Sequence, residues 1–152
     1  MQLAGPVNAA LAAVCAPKCP RISLFRNTTA PNVILIATTD QMKIVYNPEF
    51  FTKVYDAYGD AAIQAIFAHE VGHAIDAIAP APWMKSNWTP ELRADAWAGC
   101  ALAKLHPRAR SLQEAFMALS KYPSASHPDW AVRLPVLTLG FTQCGGNAAD
   151  VR

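Results

Sequence analysis

Two kinds of apolar pattern divide this chain. Between residues 21 and 46 the apolar runs are short and separated by turn-forming residues. Residues 21–26 alternate, Asn27-Thr28-Thr29-Ala30-Pro31 follows as a turn, and residues 33–38 are β-branched and apolar. Met42–Tyr46 comes after a turn at Asp40-Gln41. These runs predict three strands, the second and third close enough to pair as a hairpin. Elsewhere the spacing is helical. Residues 5–16 predict a short helix ended by Pro17 and Pro20. Asn47-Pro48-Glu49 opens a helix with a cap, a first-turn proline and a dipole-compatible acid, and Gly59 stops it. Asp60 then caps a helix reaching residue 78, before Pro80 and Pro82. Residues 79–89 form a loop, and Thr89-Pro90-Glu91 starts a helix over 90–105. A further helix covers 111–120, residues 122–126 form a loop, and Pro128 begins a last helix bent or broken by Pro135. The tail at Gly145-Gly146-Asn147 is expected to fray. No repeat, linker or boundary divides the chain, so residues 1–152 read as a single α+β domain. A small, mainly N-terminal sheet packs beside a central helix, and the C-terminal half is helical.

Composition narrows the class. Hydrophobic residues are 53% and charged residues 16% of 152, a globular balance with room for one core. The net charge is +2 with no basic block, which argues against nucleic acid or an anionic membrane as partner. The longest apolar stretches, near residues 9–16 and 33–37, are too short to span a bilayer. No positive residue precedes an apolar run at the start, so it makes a poor signal peptide. Either the chain is intracellular, or it is a mature form given a starting Met. Four cysteines, Cys15, Cys19, Cys100 and Cys144, allow two disulfides in three pairings. Cys15 and Cys19 are close in sequence, which leaves Cys100 with Cys144 and would tie the tail to a helix. Four reduced cysteines are the alternative. The bridged form suits an extracellular or periplasmic compartment, and the reduced form suits the cytoplasm.

One stretch carries chemistry. Phe67-Ala68-His69-Glu70-Val71-Gly72-His73-Ala74-Ile75-Asp76 contains His-Glu-x-x-His within a helical run. Four residues are about one turn, so His69 and His73 share a face and can bind one Zn2+, with Glu70 beside them to act on a water. The plain alternative is an amphipathic helix that happens to carry two histidines. A catalytic zinc normally takes three protein ligands and a water. Glu91 lies 18 residues after His73, at the start of the next strong helix, and is the economical third ligand. Asp95, one turn further, would accept the free N–H of a ligand histidine, His69, and fix its tautomer. In isolation such a pair is more often two solvated carboxylates at a helix start.

His-Glu-x-x-His followed by Glu-x-x-Ala-Asp resembles the gluzincin metallopeptidases, and within them the family of the CAAX prenyl protease and the bacterial heat-shock membrane protease. Ser126-His127-Pro128 with Arg133 six residues after the histidine matches that family's Ser/Thr-His-Pro segment. Asn32-Val33, ahead of Ile44-Val45, is similar to its Asn-Ala edge strand, with Val33 departing from the family's alanine. The resemblance runs from residue 32 to residue 139 and lacks the family's membrane-spanning helices. It is therefore closest to the small soluble members called minigluzincins.

The resemblance implies a zincin-like fold and a zinc endopeptidase acting on peptides or unfolded protein segments. In it His69, His73 and Glu91 hold the metal and Glu70 is the general base. His127 is the donor that stabilises the developing oxyanion. Asn32, Val33, Ile34, Leu35, Ile36 and Ala37 form the edge strand that receives substrate. Arg133 is expected beside a carboxylate such as Asp95. Tyr46 and Tyr122 are candidates to reach the cleft. Trp83, Trp88, Trp97 and Trp130 read as core or cleft wall, and His106 as a surface residue. A monomer is expected. The competing reading is a catalytically silent or latent module on the same fold, zymogen-like, with the tail after Cys144 as the plug. The presence of Glu70, which has no duty in a closed structural site, favours the enzyme.

Overall fold

In the computed structural model, which describes residues 3–38, 41–78, 80–105, 109–122 and 126–151, the three apolar runs form one sheet. The strands are Ile22–Arg26 (β1), Val33–Ala37 (β2) and Met42–Tyr46 (β3). β3 lies in the middle, parallel to β1 and antiparallel to β2, and the shared register places both Leu24 and Leu35 opposite Ile44. β2 and β3 therefore make the expected hairpin, and β2 is an edge. The Asn47 N–H donates to the Asn32 carbonyl at 2.8 Å. In this register Ile34 and Ile36 turn their backbone groups toward β3, and Val33, Leu35 and Ala37 turn theirs outward. The proposed turn at Asp40 lies partly outside the described residues, as does His106.

Six α-helices accompany the sheet among the described residues: Ala4–Cys15 (α1), Pro48–Tyr58 (α2), Asp60–Asp76 (α3), Pro90–Leu105 (α4), Ala109–Lys121 (α5) and Trp130–Gln143 (α6). Asn47 caps α2 as its sequence suggests, its side chain accepting the Glu49 N–H at 2.9 Å. Asp60, expected to be a cap, is instead the first residue of α3, because Gly59 at φ +78° ends one helix and starts the next without a spacer. Its carboxylate still sits in the first turn, where the helix dipole favours it. α5 is longer than expected by two residues at its start and one at its end. α6 begins at Trp130 and is not broken at Pro135. Pro135 and Ala131 are both exposed, so the carbonyl that the proline leaves unpaired faces water.

α3 is the centre of the molecule. Thirteen of its 17 residues are buried, too many for one apolar stripe, so neighbours cover it on nearly every side. α1, α2, α4, α5 and β2 all pack on it. Phe51 of α2 stacks on Phe67 at 4.6 Å between ring centres. Two helix crossings are tight enough to require glycine. A Cβ on Gly72 of α3 would stand 2.7 Å from the Ala94 carbonyl oxygen of α4. On the opposite face of α4, a Cβ on Gly140 of α6 would drive into the Ala96 carbonyl.

The disulfides are Cys15–Cys19 and Cys100–Cys144, the latter joining α4 to the residue after α6. The tail is not frayed. Gly146 donates to the Phe141 carbonyl at 2.9 Å, and a 3-10 turn, Ala148–Val151, packs on α5 and α6. Among the described residues no helix is long and apolar enough to cross a membrane.

The glycine crossing gives a direct test. Gly140→Ala overpacks two helix backbones that cannot yield separately, and is expected to destabilise the fold by about 1–3 kcal/mol in urea unfolding. An unchanged midpoint would mean that α4 and α6 are not in this contact.

Candidate metal centre

His69 and His73 lie one turn apart on α3, their rings 4.8 Å apart and nearly perpendicular. The absence of a side chain at Gly72, between them, lets α4 approach this same face. The first turn of α4 is then fixed from the side. Arg93 donates through Nε to both carboxylate oxygens of Asp76 at 2.8 Å, and through Nη1 to the Trp88 carbonyl. This holds the start of α4 against the end of α3, and Glu91 points at the histidines. Nothing in the sequence singled out Arg93, because the role depends on where Asp76 ends α3.

The Glu91 carboxylate collects three imidazoles. His69 Nε2 is 3.3 Å from Oε2, His127 Nε2 is 3.2 Å from Oε2, and His73 Nε2 is 3.5 Å from Oε1. Ser126 Oγ donates to Oε1 at 3.2 Å. Behind His69 stands a buried relay. His69 Nδ1 is 2.9 Å from Asp95 Oδ1, and Arg133 grips the same carboxylate, with Nε to Oδ2 at 2.8 Å and Nη2 to Oδ1 at 2.9 Å. Arg133 Nη1 donates to the Leu119 carbonyl at 3.0 Å, which ties in α5. His69 and Asp95 have no exposed side-chain surface. A carboxylate only accepts here, so the Nδ1 position of His69 holds a proton toward Asp95, and in the neutral ring Nε2 turns its lone pair to Glu91.

The charges are strongly coupled. Burial alone would push the His69 imidazole down, but the hydrogen bond with Asp95 and the nearby Glu91 carboxylate outweigh this and raise it to about 9. Burial pushes Asp95 up, and Arg133 with His69 holds it well below the usual carboxylate range. Glu91 is likewise pulled far below that range against its burial, by His127, His69 and His73.

His69 Nε2 and Glu91 Oε2 are buried and lack a hydrogen-bond partner. Donor atoms of His69, Glu91 and His127 fall within 4.8 Å of one another and could hold a metal ion. A proton on His69 Nε2 would pair that atom with Glu91 Oε2. A single cation would satisfy both as well, and the donors, imidazole nitrogen and carboxylate oxygen, suit a divalent metal. Comparison of the chain with protein-family models, curated proteins and solved structures finds no match. What the site can do must therefore be argued from its own geometry.

Glu70, expected to be a free base, is engaged on both oxygens. Leu35 N–H of the edge strand donates to Oε2 at 2.9 Å, and the Tyr122 hydroxyl lies 2.8 Å from Oε1. The same hydroxyl lies 2.9 Å from the Val33 carbonyl oxygen. Burial and the negative charge of Glu70 push the Tyr122 phenol far above its ordinary range, so it stays a neutral hydroxyl. Of the two tyrosines proposed to reach the cleft, Tyr122 does so. Tyr46 packs edge-on to Phe51 instead. The cleft, about 400 Å³, is lined by Asn32, Val33, Ile34, Leu35 and Ala37 together with Glu70, His73, Glu91, Tyr122, Ser126 and His127. Ile36 is the one edge-strand candidate outside it, exposed on the outer face of the sheet. Trp83 and Trp88 pack with Leu92 and Val136, and Trp97 and Trp130 pack on the main core, so none of the four lines the cleft. Among the described residues none of the tail lines it, and Asp150 and Val151 face a groove with Phe116 and Trp130 instead.

The relay behind His69 predicts two effects. Asp95→Ala leaves Arg133 buried without its partner and is expected to cost about 3–5 kcal/mol of stability in denaturant unfolding. Asp95→Asn keeps the shape but also removes the charge opposite Arg133 and weakens the hold on the His69 N–H. It is expected to lower stability as well, and in the folded variant to lower metal affinity about 10–100-fold in chelator competition.

Proposed function

We propose that this chain is a zinc-dependent endopeptidase of the gluzincin type. Its metal ligands are His69, His73 and Glu91, and its general base is Glu70. The observation that carries this reading is the buried, unpartnered pair His69 Nε2 and Glu91 Oε2, set one residue from a carboxylate that faces the same cleft. The zincin-like fold belongs to the proposal. When bound, the ion supplies Lewis acidity to a peptide carbonyl and to the attacking water.

The protein's own residues do the rest. The side chains of His73 and Glu91 are 22% and 19% exposed while that of His69 is 0%, so water and substrate approach from the His73 side. The outward backbone groups of Val33, Leu35 and Ala37 take an extended peptide by strand addition. The peptide carbonyl accepts the Leu35 N–H in place of Glu70 Oε2 and frees that oxygen. Glu70 then takes a proton from water and delivers it to the leaving amine, while Tyr122 holds its other oxygen in place. The substrate class is peptides or unfolded protein segments, because strand addition recognises extended backbone. The two disulfides favour an oxidising compartment, extracellular or periplasmic.

A silent or latent module is the second reading, and the two hydrogen bonds that occupy Glu70 favour it. One experiment separates the two. Metal content and cleavage of a quenched casein substrate are measured for wild type and Glu70→Gln. The peptidase reading expects one zinc per chain in both proteins, with cleavage reduced at least ~100-fold in the variant. Zinc in both with cleavage in neither supports the silent module, and no zinc in either removes both metal readings.

A further inference from the structure

The resemblance assigns His127 to oxyanion stabilisation, which needs an N–H directed into the site. Its ring lies between two acceptors. His127 Nδ1 lies 3.2 Å from the backbone carbonyl oxygen of Tyr122. A carbonyl only accepts, so a proton on Nδ1 has a partner there, and that tautomer leaves Nε2 as a lone pair. Nε2 faces Glu91 Oε2 at 3.2 Å, matching the 3.3 Å of His69 Nε2 to the same oxygen. His69 is placed in the same way, with Asp95 behind its Nδ1. Each ring thus has an acceptor behind Nδ1 and its Nε2 turned to one carboxylate oxygen, the arrangement that orients metal-ligating histidines. The side chain of His127 is 8% exposed, more deeply placed than that of His73 at 22%.

Distance supports the same assignment. Ligands about 2.0–2.1 Å from a tetrahedral zinc stand about 3.3 Å from one another. His127 and His69 stand 3.2 and 3.3 Å from Glu91 Oε2, at that value, and with Glu91 they form one group of donor atoms within 4.8 Å of one another, while His73 stands 3.5 Å from the other oxygen, Oε1, outside that group. His127 meets it as well as His69 does.

We propose that His127 is a metal ligand in the resting protein, completing with His69, His73 and Glu91 a closed site of four protein ligands. This rests on the metal reading above and adds regulation to it. A closed tetrahedron leaves no position for water, so His127 must leave before the site can work on a peptide. It is placed to do so, since it belongs to the non-helical stretch 126–129 between α5 and α6, while the other three ligands are on α3 and α4.

The test counts imidazoles on the metal. The full chain, labelled with nitrogen-15 histidine, is loaded with cadmium-113, and nitrogen–cadmium couplings are read by NMR. The chain has four histidines, so the count is unambiguous. Three coupled Nε2 resonances, one of them absent from His127→Ala, are the expected result. Two coupled resonances, unchanged in His127→Ala, would overturn the assignment and leave the metal site standing. No coupled resonance and no cadmium uptake would remove the metal reading and this proposal with it. The variant also has a rescue. Added imidazole is expected to restore the cobalt(II) visible absorption that His127→Ala weakens, and failure to restore it in a folded variant counts against ligation.

Discussion

The buried ion pair between Arg133 and Asp95 is the contact on which the rest of the site depends. Neither side chain has appreciable access to water, and an unpaired charge at that depth would be untenable. The pair is therefore bidentate, and its spare acceptor capacity goes to His69. Its geometry joins four helices: Arg133 on α6, Asp95 on α4, His69 on α3 and the Leu119 carbonyl on α5. Gly72 and Gly140 make the pairing reachable by letting α4 pack backbone-close on both α3 and α6. Buried polar networks of this kind are stabilising only when every member is satisfied, and here the unsatisfied atoms are pushed to one end. They appear at His69 Nε2 and Glu91 Oε2, where a ligand can complete them.

Much of this was legible in the sequence because it is periodic. His69 and His73, and Glu91 and Asp95, are helical neighbours one turn apart, so spacing alone put each pair on a common face. The start of α2 at Asn47-Pro48 and the bounds of α4 and β3 followed from local capping and turn chemistry. The pairing of Arg133 with Asp95 was expected as well, although the two are 38 residues apart, through the resemblance at Ser126-His127-Pro128 and not through periodicity. Whether Pro135 bends or breaks α6 was left open because tolerance of proline depends on which way the freed carbonyl faces. Asp60 was misread because Gly59 serves two helices at once.

What was not legible lies at long range and in backbone atoms. Tyr122 meets Glu70 across 52 residues and Val33 across 89, and no local pattern encodes either contact. The ring of His127 has a main-chain carbonyl, that of Tyr122, beside its Nδ1, a group that every residue possesses and no sequence motif marks. The same is true of Leu35, whose N–H reaches Glu70 only because the register with β3 turns odd-numbered residues outward. A motif names the side chains of a site. The backbone groups that decide their protonation and freedom come only with the fold.

The proposed closed arrangement would have a thermodynamic consequence for how a peptide enters. Binding shifts a two-state site only by the difference in affinity for the two states. At the edge strand the exchange is between like partners. Leu35 N–H leaves a carboxylate oxygen and gains a peptide carbonyl, and the Tyr122 hydroxyl, whose single proton lies between two acceptors, keeps to Glu70 while the Val33 carbonyl takes a peptide N–H. Such exchanges conserve hydrogen bonds, so they are close to neutral and cannot themselves supply a strong drive. The surplus must come from the remaining outward groups of β2, including those of Ala37, and from side chains laid beside exposed Ile34 and Ile36. A short peptide that reaches only Leu35 gains little of this. A longer extended segment that runs the length of β2 gains all of it. In the proposed reading, freeing Glu70 and drawing His127 away therefore favours long, unfolded chains over small peptides without a pocket selective for any one side chain.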